Sequence, residues 1–138
     1  EAAMKKRQIR LTIRNDGYSP ILTFLQKQTR RCHAKLLYEL KLLETAPVLC
    51  QPHVKAIRVE PGIFELRMRL GKMQRILFLL SGDDSVVLLC GFCKHHDRDL
   101  YKALRVARAL RSALVSGEAH TRILDTREYE NEKDEPPA

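Results

Sequence analysis

Between Ile63 and Lys94 the chain reads as three strands joined by two short turns, and this run constrains the fold more than any other feature. Ile63 to Leu70 alternates: Phe64, Leu66 and Met68 take one face, Glu65, Arg67 and Arg69 the other. "LGK", Leu70 to Lys72, is a turn, and Met73 to Leu80 is a mostly apolar strand carrying Arg75. "SGDD", Ser81 to Asp84, is a hairpin turn. Val86 to Lys94 is almost wholly apolar, the pattern of a central strand buried on both faces. Turns this short join antiparallel neighbours.

The flanking segments supply helices and one more strand. "KRQIRLTIR", Lys6 to Arg14, alternates with Ile9, Leu11 and Ile13 on one side, a half-buried strand. "NDGYSP" breaks it, and Ser19 can cap a helix whose first residue is Pro20. Ile21, Leu22, Phe24 and Leu25 give that helix its apolar face. A second helix is predicted from about Thr29 to Glu44, where Leu36, Leu37, Leu40 and Leu43 recur at helical spacing. Pro47 and Pro52 mark a loop. A last helix is expected from Asp99, its cap, to Ser116, with Gly117 as the stop signal. The predicted order is β-α-α-β-β-β-α, an α+β domain with helices packed on a mainly antiparallel, twisted sheet. The domain is expected to span residues 4–117, with Met4 as the natural start. Residues 118–138 are expected to be a charged, acidic, flexible extension.

Charge narrows the partners. The last fourteen residues hold six acids against two bases, so a chain of net charge +8 leaves +12 on residues 1–124. A body that basic attracts polyanions. No apolar run approaches a membrane span, and "EAAMKKRQIR" lacks the apolar core of a secretory signal. A cytoplasmic location, without membrane contact, is therefore expected, with Cys32, Cys50, Cys90 and Cys93 as reduced thiols.

Cys90-x-x-Cys93, followed by His95 and His96, invites a metal or redox reading. Strand geometry argues against it. Residues three apart on a strand point to opposite faces, so the two thiols diverge rather than converge on an ion. Gly91 could mark a bulge that rescues convergence, but no second cysteine pair exists. A redox pair would open a helix, and this one precedes the helix by several residues. No metal and no cofactor are expected. The strand instead delivers Lys94, His95 and His96 to its end.

The polar residues of the sheet are basic. Arg67 and Arg69 share one face of their strand, Arg75 sits on the next, and Lys94, His95 and His96 end the third. Guanidinium groups hold phosphate oxygens bidentately, and lysine or histidine can move a proton near neutral pH. For RNA the neighbouring 2′-hydroxyl is itself a nucleophile. An enzyme then needs a base for that hydroxyl, a cationic clamp and an acid for the leaving oxygen. Structural ion pairs build similar clusters: Arg67 could instead pair with Glu65 or Glu60.

The ordered set "GIFELRMRLGKMQRILFLL", "VVLLCGFCKHHDRD" and "ALRVARAL" resembles the HigB-like toxins, the phage-associated branch of the RelE/ParE superfamily. Glu65, Leu66, Arg67, Arg75, Leu89, Phe92, Lys94 and Ala107 carry the match, which extends from Met4 to Ser116. The sequence departs from the pattern at Gln74, where an aromatic is usual, and at His95, where a second lysine is usual. "HHDRDLY" stands where a proline-containing segment usually precedes the last helix. The resemblance implies the toxin of a type II toxin–antitoxin system, partnered by a helix-turn-helix antitoxin. It implies metal-independent, ribosome-dependent cleavage of mRNA that inhibits translation. Arg67 and Arg75 would clamp the scissile phosphate, and Lys94 or His95 at the rim would serve as acid or base. Arg69, Lys72, His96, Arg98, Lys102 and Arg105 would contact RNA. Substituting Arg67 or Arg75 would then remove toxicity with folding intact. ParE-type members share the architecture yet poison gyrase, so a non-catalytic, partner-binding toxin is the alternative.

Overall fold

The computed structural model describes residues 6–70, 72–82 and 84–125. Among these described residues six strands and three helices follow in order: β1 (Gln8–Arg14), α1 (Pro20–Gln26), α2 (Arg30–Thr45), β2 (Val54–Ala56), β3 (Ile63–Leu70), β4 (Lys72–Ser81), β5 (Ser85–Cys93), α3 (Asp97–Ser116) and β6 (Ala119–Ile123). One sheet takes all six strands in the order β2-β3-β4-β5-β1-β6. Only β1 and β5 run parallel; every other neighbouring pair is antiparallel. The α+β class, the three-strand run and all three helices are as predicted.

The apolar character of β4 and β5 follows from burial on both faces. On one face Leu66, Met68, Ile76, Phe78 and Leu88 meet Ile21 and Leu25 of α1 and Leu36, Leu40 and Leu43 of α2. On the other, Leu77, Val87, Leu89 and Cys90 meet Ala103, Leu104, Ala107 and Leu110 of α3. A bulge in β5 opposite Leu77 and Phe78 turns Leu89 and Cys90 to the same side. Gly91 lies beyond the bulge, and its role is space: a Cβ there would collide with the Phe24 ring. Phe24 of α1 thereby lies directly on the β5 backbone.

The caps are local and legible. Ser19 Oγ accepts from Leu22 N at 3.4 Å, with Pro20 opening α1. Gly117 closes α3 in the left-handed conformation at φ 83°. Asp99 is not the cap that the sequence suggested. α3 begins two residues earlier, His96 is the cap, and Asp99 reaches back to accept from His95 N and His96 N, each at 2.9 Å.

Two strands extend the predicted order. β2 is three residues inside the proline-marked loop. β6 lies in what was expected to be a flexible extension starting at 118, so the folded unit runs past that boundary. It pairs with β1 from Arg10–Ile123 to Arg14–Ala119, and Arg10 Nε donates to Thr121 Oγ1 at 2.8 Å. Its sequence, "AHTRI", lacks an apolar face because an edge strand here needs only Ala119 buried. The acidic stretch from residue 126 onward lies outside the described residues.

Candidate nucleic-acid cleft

Register brings the predicted arginines together. β3 and β4 place Arg67 opposite Arg75 and Arg69 opposite Met73. Residues directly opposite share a face on strands about 4.8 Å apart. Like charges so placed repel unless something compensates. Glu65, one alternation earlier on β3, compensates. Its Oε1 accepts from Arg67 Nε at 2.8 Å, and its Oε2 lies 3.5 Å from Arg75 Nε. Glu65 and Arg75 are 2% and 4% exposed, so the carboxylate and one guanidinium form a buried pair. Arg75 Nη1 also donates to Gln74 O at 3.1 Å. Burial holds the Arg75 pKa below the ordinary arginine value; Glu65 opposes this, while Arg67 and Arg69 add to it. The group remains a cation at any physiological pH.

These arginines line a cleft of about 390 Å³. Its other wall comes from α2 and the loop before β2: Lys35, Glu39, Pro52 and His53, with Met68 and Met73 between. Glu39 is 1% exposed and makes two contacts there. Its Oε1 lies 3.4 Å from Lys35 Nζ, and its Oε2 lies 2.9 Å from His53 Nδ1. None of these three was singled out in the sequence. Glu39 does leave a signal, an acid set into the Leu36, Leu40, Leu43 stripe of α2. His53 leaves none, since its loop has no periodicity.

The other predicted residues lie elsewhere. Lys94 extends the β4–β5 pairing, its N–H donating to Met73 O at 2.7 Å, while Nζ is 3.6 Å from Asp97 Oδ1. His95 and His96 are exposed beside it, held through their backbone by Asp99. Lys72 and Arg98 are exposed at the starts of β4 and α3. Lys102 borders a small depression shared with Tyr18 and Phe92. Arg105 faces a groove of about 1010 Å³ between α3, the β1–α1 turn and Glu118. Further along α3, Arg108 and Arg111 are tied to Glu60, whose pKa is lowered first by the hydrogen bond from Arg108. The lining of the arginine cleft gathers Arg67, Arg69 and Arg75 and, among the described residues, does not include Lys94, His95 or the α3 cations.

Cys90 is packed beneath α3 and its thiol donates to Ala103 O at 3.6 Å; burial pushes its pKa up to about 12. Alternation turns Cys93 to the opposite side of the strand, as expected. Among the described residues no group of three or more His, Cys, Asp or Glu side chains is placed to hold a metal ion. Among the same residues no helix is long and apolar enough to cross a membrane.

A mostly antiparallel sheet with helices on both faces and a basic cleft on β3 and β4 defines a small α+β protein suited to anionic ligands. A family model described as "Phage derived protein Gp49-like (DUF891)" matches residues 23–112, from α1 into α3. The chain belongs to this Gp49-like family, a toxin-like family related to the RelE/HigB superfamily. Every cleft residue lies within the match. Comparison with curated proteins gave no match.

Proposed function

We propose that this protein is the toxin of a toxin–antitoxin pair and cleaves mRNA on the ribosome through the RNA's own 2′-hydroxyl, without a metal. The observation that carries the reading is the convergence of Arg67, Arg69 and Arg75 on one cleft. Glu65 takes only the Nε side of Arg67. Among the described residues no hydrogen bond engages the two terminal nitrogens of Arg67, which are free to fork onto a phosphodiester. The buried Arg75 supplies fixed positive charge beneath it, where a developing dianionic phosphorus centre is stabilised most. The antitoxin neutralises the toxin by binding it, and the site of action is the cytoplasm. Within the wider superfamily, the type this reading assigns is HigB-like.

A second reading, inhibition by binding a protein target, is favoured by the groove beside Arg105. Val106, Ala109 and Ala113 of α3 form an apolar floor there, suited to a protein segment.

Induced expression in bacteria with 5′-end mapping of mRNA separates the two. The nuclease reading expects growth arrest with new in-frame cuts, lost in Arg67→Ala. Arrest without cuts, equally strong in Arg67→Ala, would overturn it in favour of the binding toxin.

A further inference from the structure

We propose that His53 is the general base of the cleavage and Glu39 its positioning residue, an inference that rests on the nuclease reading of the same cleft. Glu39 is a carboxylate almost wholly removed from water, which is costly unless it is paired. It faces neither solvent nor the apolar core alone. One oxygen meets Lys35 Nζ at 3.4 Å and the other meets His53 Nδ1 at 2.9 Å. A carboxylate at Nδ1 fixes the ring and places the proton on that nitrogen. Nε2 is then left as the basic atom. The imidazole is 44% exposed and borders the arginine cleft, and among the described residues no hydrogen bond engages Nε2. An anchored ring with a free basic nitrogen beside a phosphate clamp is the arrangement that proton abstraction requires.

The step balances without a co-reactant other than water. Nε2 takes the proton of the 2′-hydroxyl, and the 2′-oxygen forms a bond to phosphorus. The bond from phosphorus to the 5′-oxygen breaks, leaving a 2′,3′-cyclic phosphate. The departing 5′-oxygen takes a proton from water, and the imidazolium returns its proton to solvent. Arg67 and Arg75 face the same cleft from β3 and β4, Arg69 from the end of β3, and Lys35 from α2. All four are cations that favour the anionic phosphorus centre.

The test uses the purified full chain on ribosome-programmed mRNA. Four variants are compared with wild type: His53→Gln, His53→Gly, Glu39→Gln and Arg67→Ala. Thermal melts select samples that remain folded. His53→Gln should lose about 10²-fold or more in rate. Added imidazole should restore part of the rate to His53→Gly and do nothing for Arg67→Ala, which a structural role for His53 cannot produce. Glu39→Gln should lower kcat about 10-fold with KM unchanged, since it disorders the base without removing the clamp. Wild-type rates in His53→Gln, with Arg67→Ala impaired, would overturn the base and leave the cleft nuclease standing. Loss in His53→Gly that imidazole does not relieve would also overturn it. Absence of cleavage by wild type would overturn the nuclease reading and this inference together.

Discussion

One carboxylate, Glu65, serves two arginines of very different exposure. The Arg75 side chain is 5% exposed and that of Arg67 is 32% exposed. Removing Arg75 leaves a buried carboxylate with one partner and empties a buried site. Arg75→Ala should therefore cost about 3–5 kcal/mol. Arg67→Ala removes a hydrogen bond from the same buried carboxylate but leaves Arg75 beside it, and should cost about 1–3 kcal/mol. Urea unfolding of both variants checks this; equal losses would show that Glu65 does not depend on its buried partner. The sequence suggested that either arginine could be replaced with folding intact. Burial restricts that expectation to Arg67, which is why Arg67 is the residue to substitute in activity tests. Arginines 67 and 75 were legible because alternation placed one and the apolar run around Ile76 isolated the other. Their difference in burial was not, because it depends on the strand neighbours of each.

At the scale of the element, α3 is held at its start by Asp99. The two backbone N–H groups of His95 and His96, in that order, hold the Asp99 carboxylate pKa below its ordinary 3.8. A depressed folded pKa contributes stability that is present above the unfolded value and is lost as the pH falls through the folded one. Asp99→Ala should therefore melt below wild type at neutral pH, and the gap should narrow as the pH is lowered through and below 3.8. Melting curves across that range, with a side-chain NMR titration of Asp99, measure both. A gap independent of pH would remove the carboxylate from the account. The helix itself was legible from its stripe and from Gly117. Its first turn was not: an aspartate at the third helical position and an aspartate at the cap look alike in sequence, since both precede the same apolar stripe. His95 and His96 both donate their backbone N–H groups to the Asp99 carboxylate at 2.9 Å.

For the whole molecule, β6 covers the β1 edge of the sheet among the described residues. It shields β1, whose other neighbour is the parallel strand β5. It is joined at both ends, where Leu124 N donates to Ile9 O at 2.8 Å and Asn15 Nδ2 donates to Gly117 O at 2.8 Å. A chain stopped after Asp125 should keep the fold. A chain stopped after Gly117 should melt lower and aggregate through the opened edge of β1. Scattering and thermal melts of the two truncations test this, and identical behaviour would reduce β6 to decoration.

What the sequence determined by itself is what depends on near neighbours. Alternation from Ile63 to Leu70, the short turns at 70–72 and 81–84, the helical stripes and the Ser19, Pro20 and Gly117 signals act over a few residues, so they are written in a few residues. The same locality made β3 and β4 antiparallel and brought Arg67 opposite Arg75. Tertiary structure alone decided the rest. It placed β1 beside β5, and it recruited "AHTRI" as an edge strand because a partner with unpaired backbone groups was waiting. It also carried Glu39 of α2 to His53, fourteen residues away, and set both against arginines from a different part of the chain. No local pattern encodes that meeting, because it exists only once α2 packs its leucines on the sheet and turns its one buried acid toward the cleft.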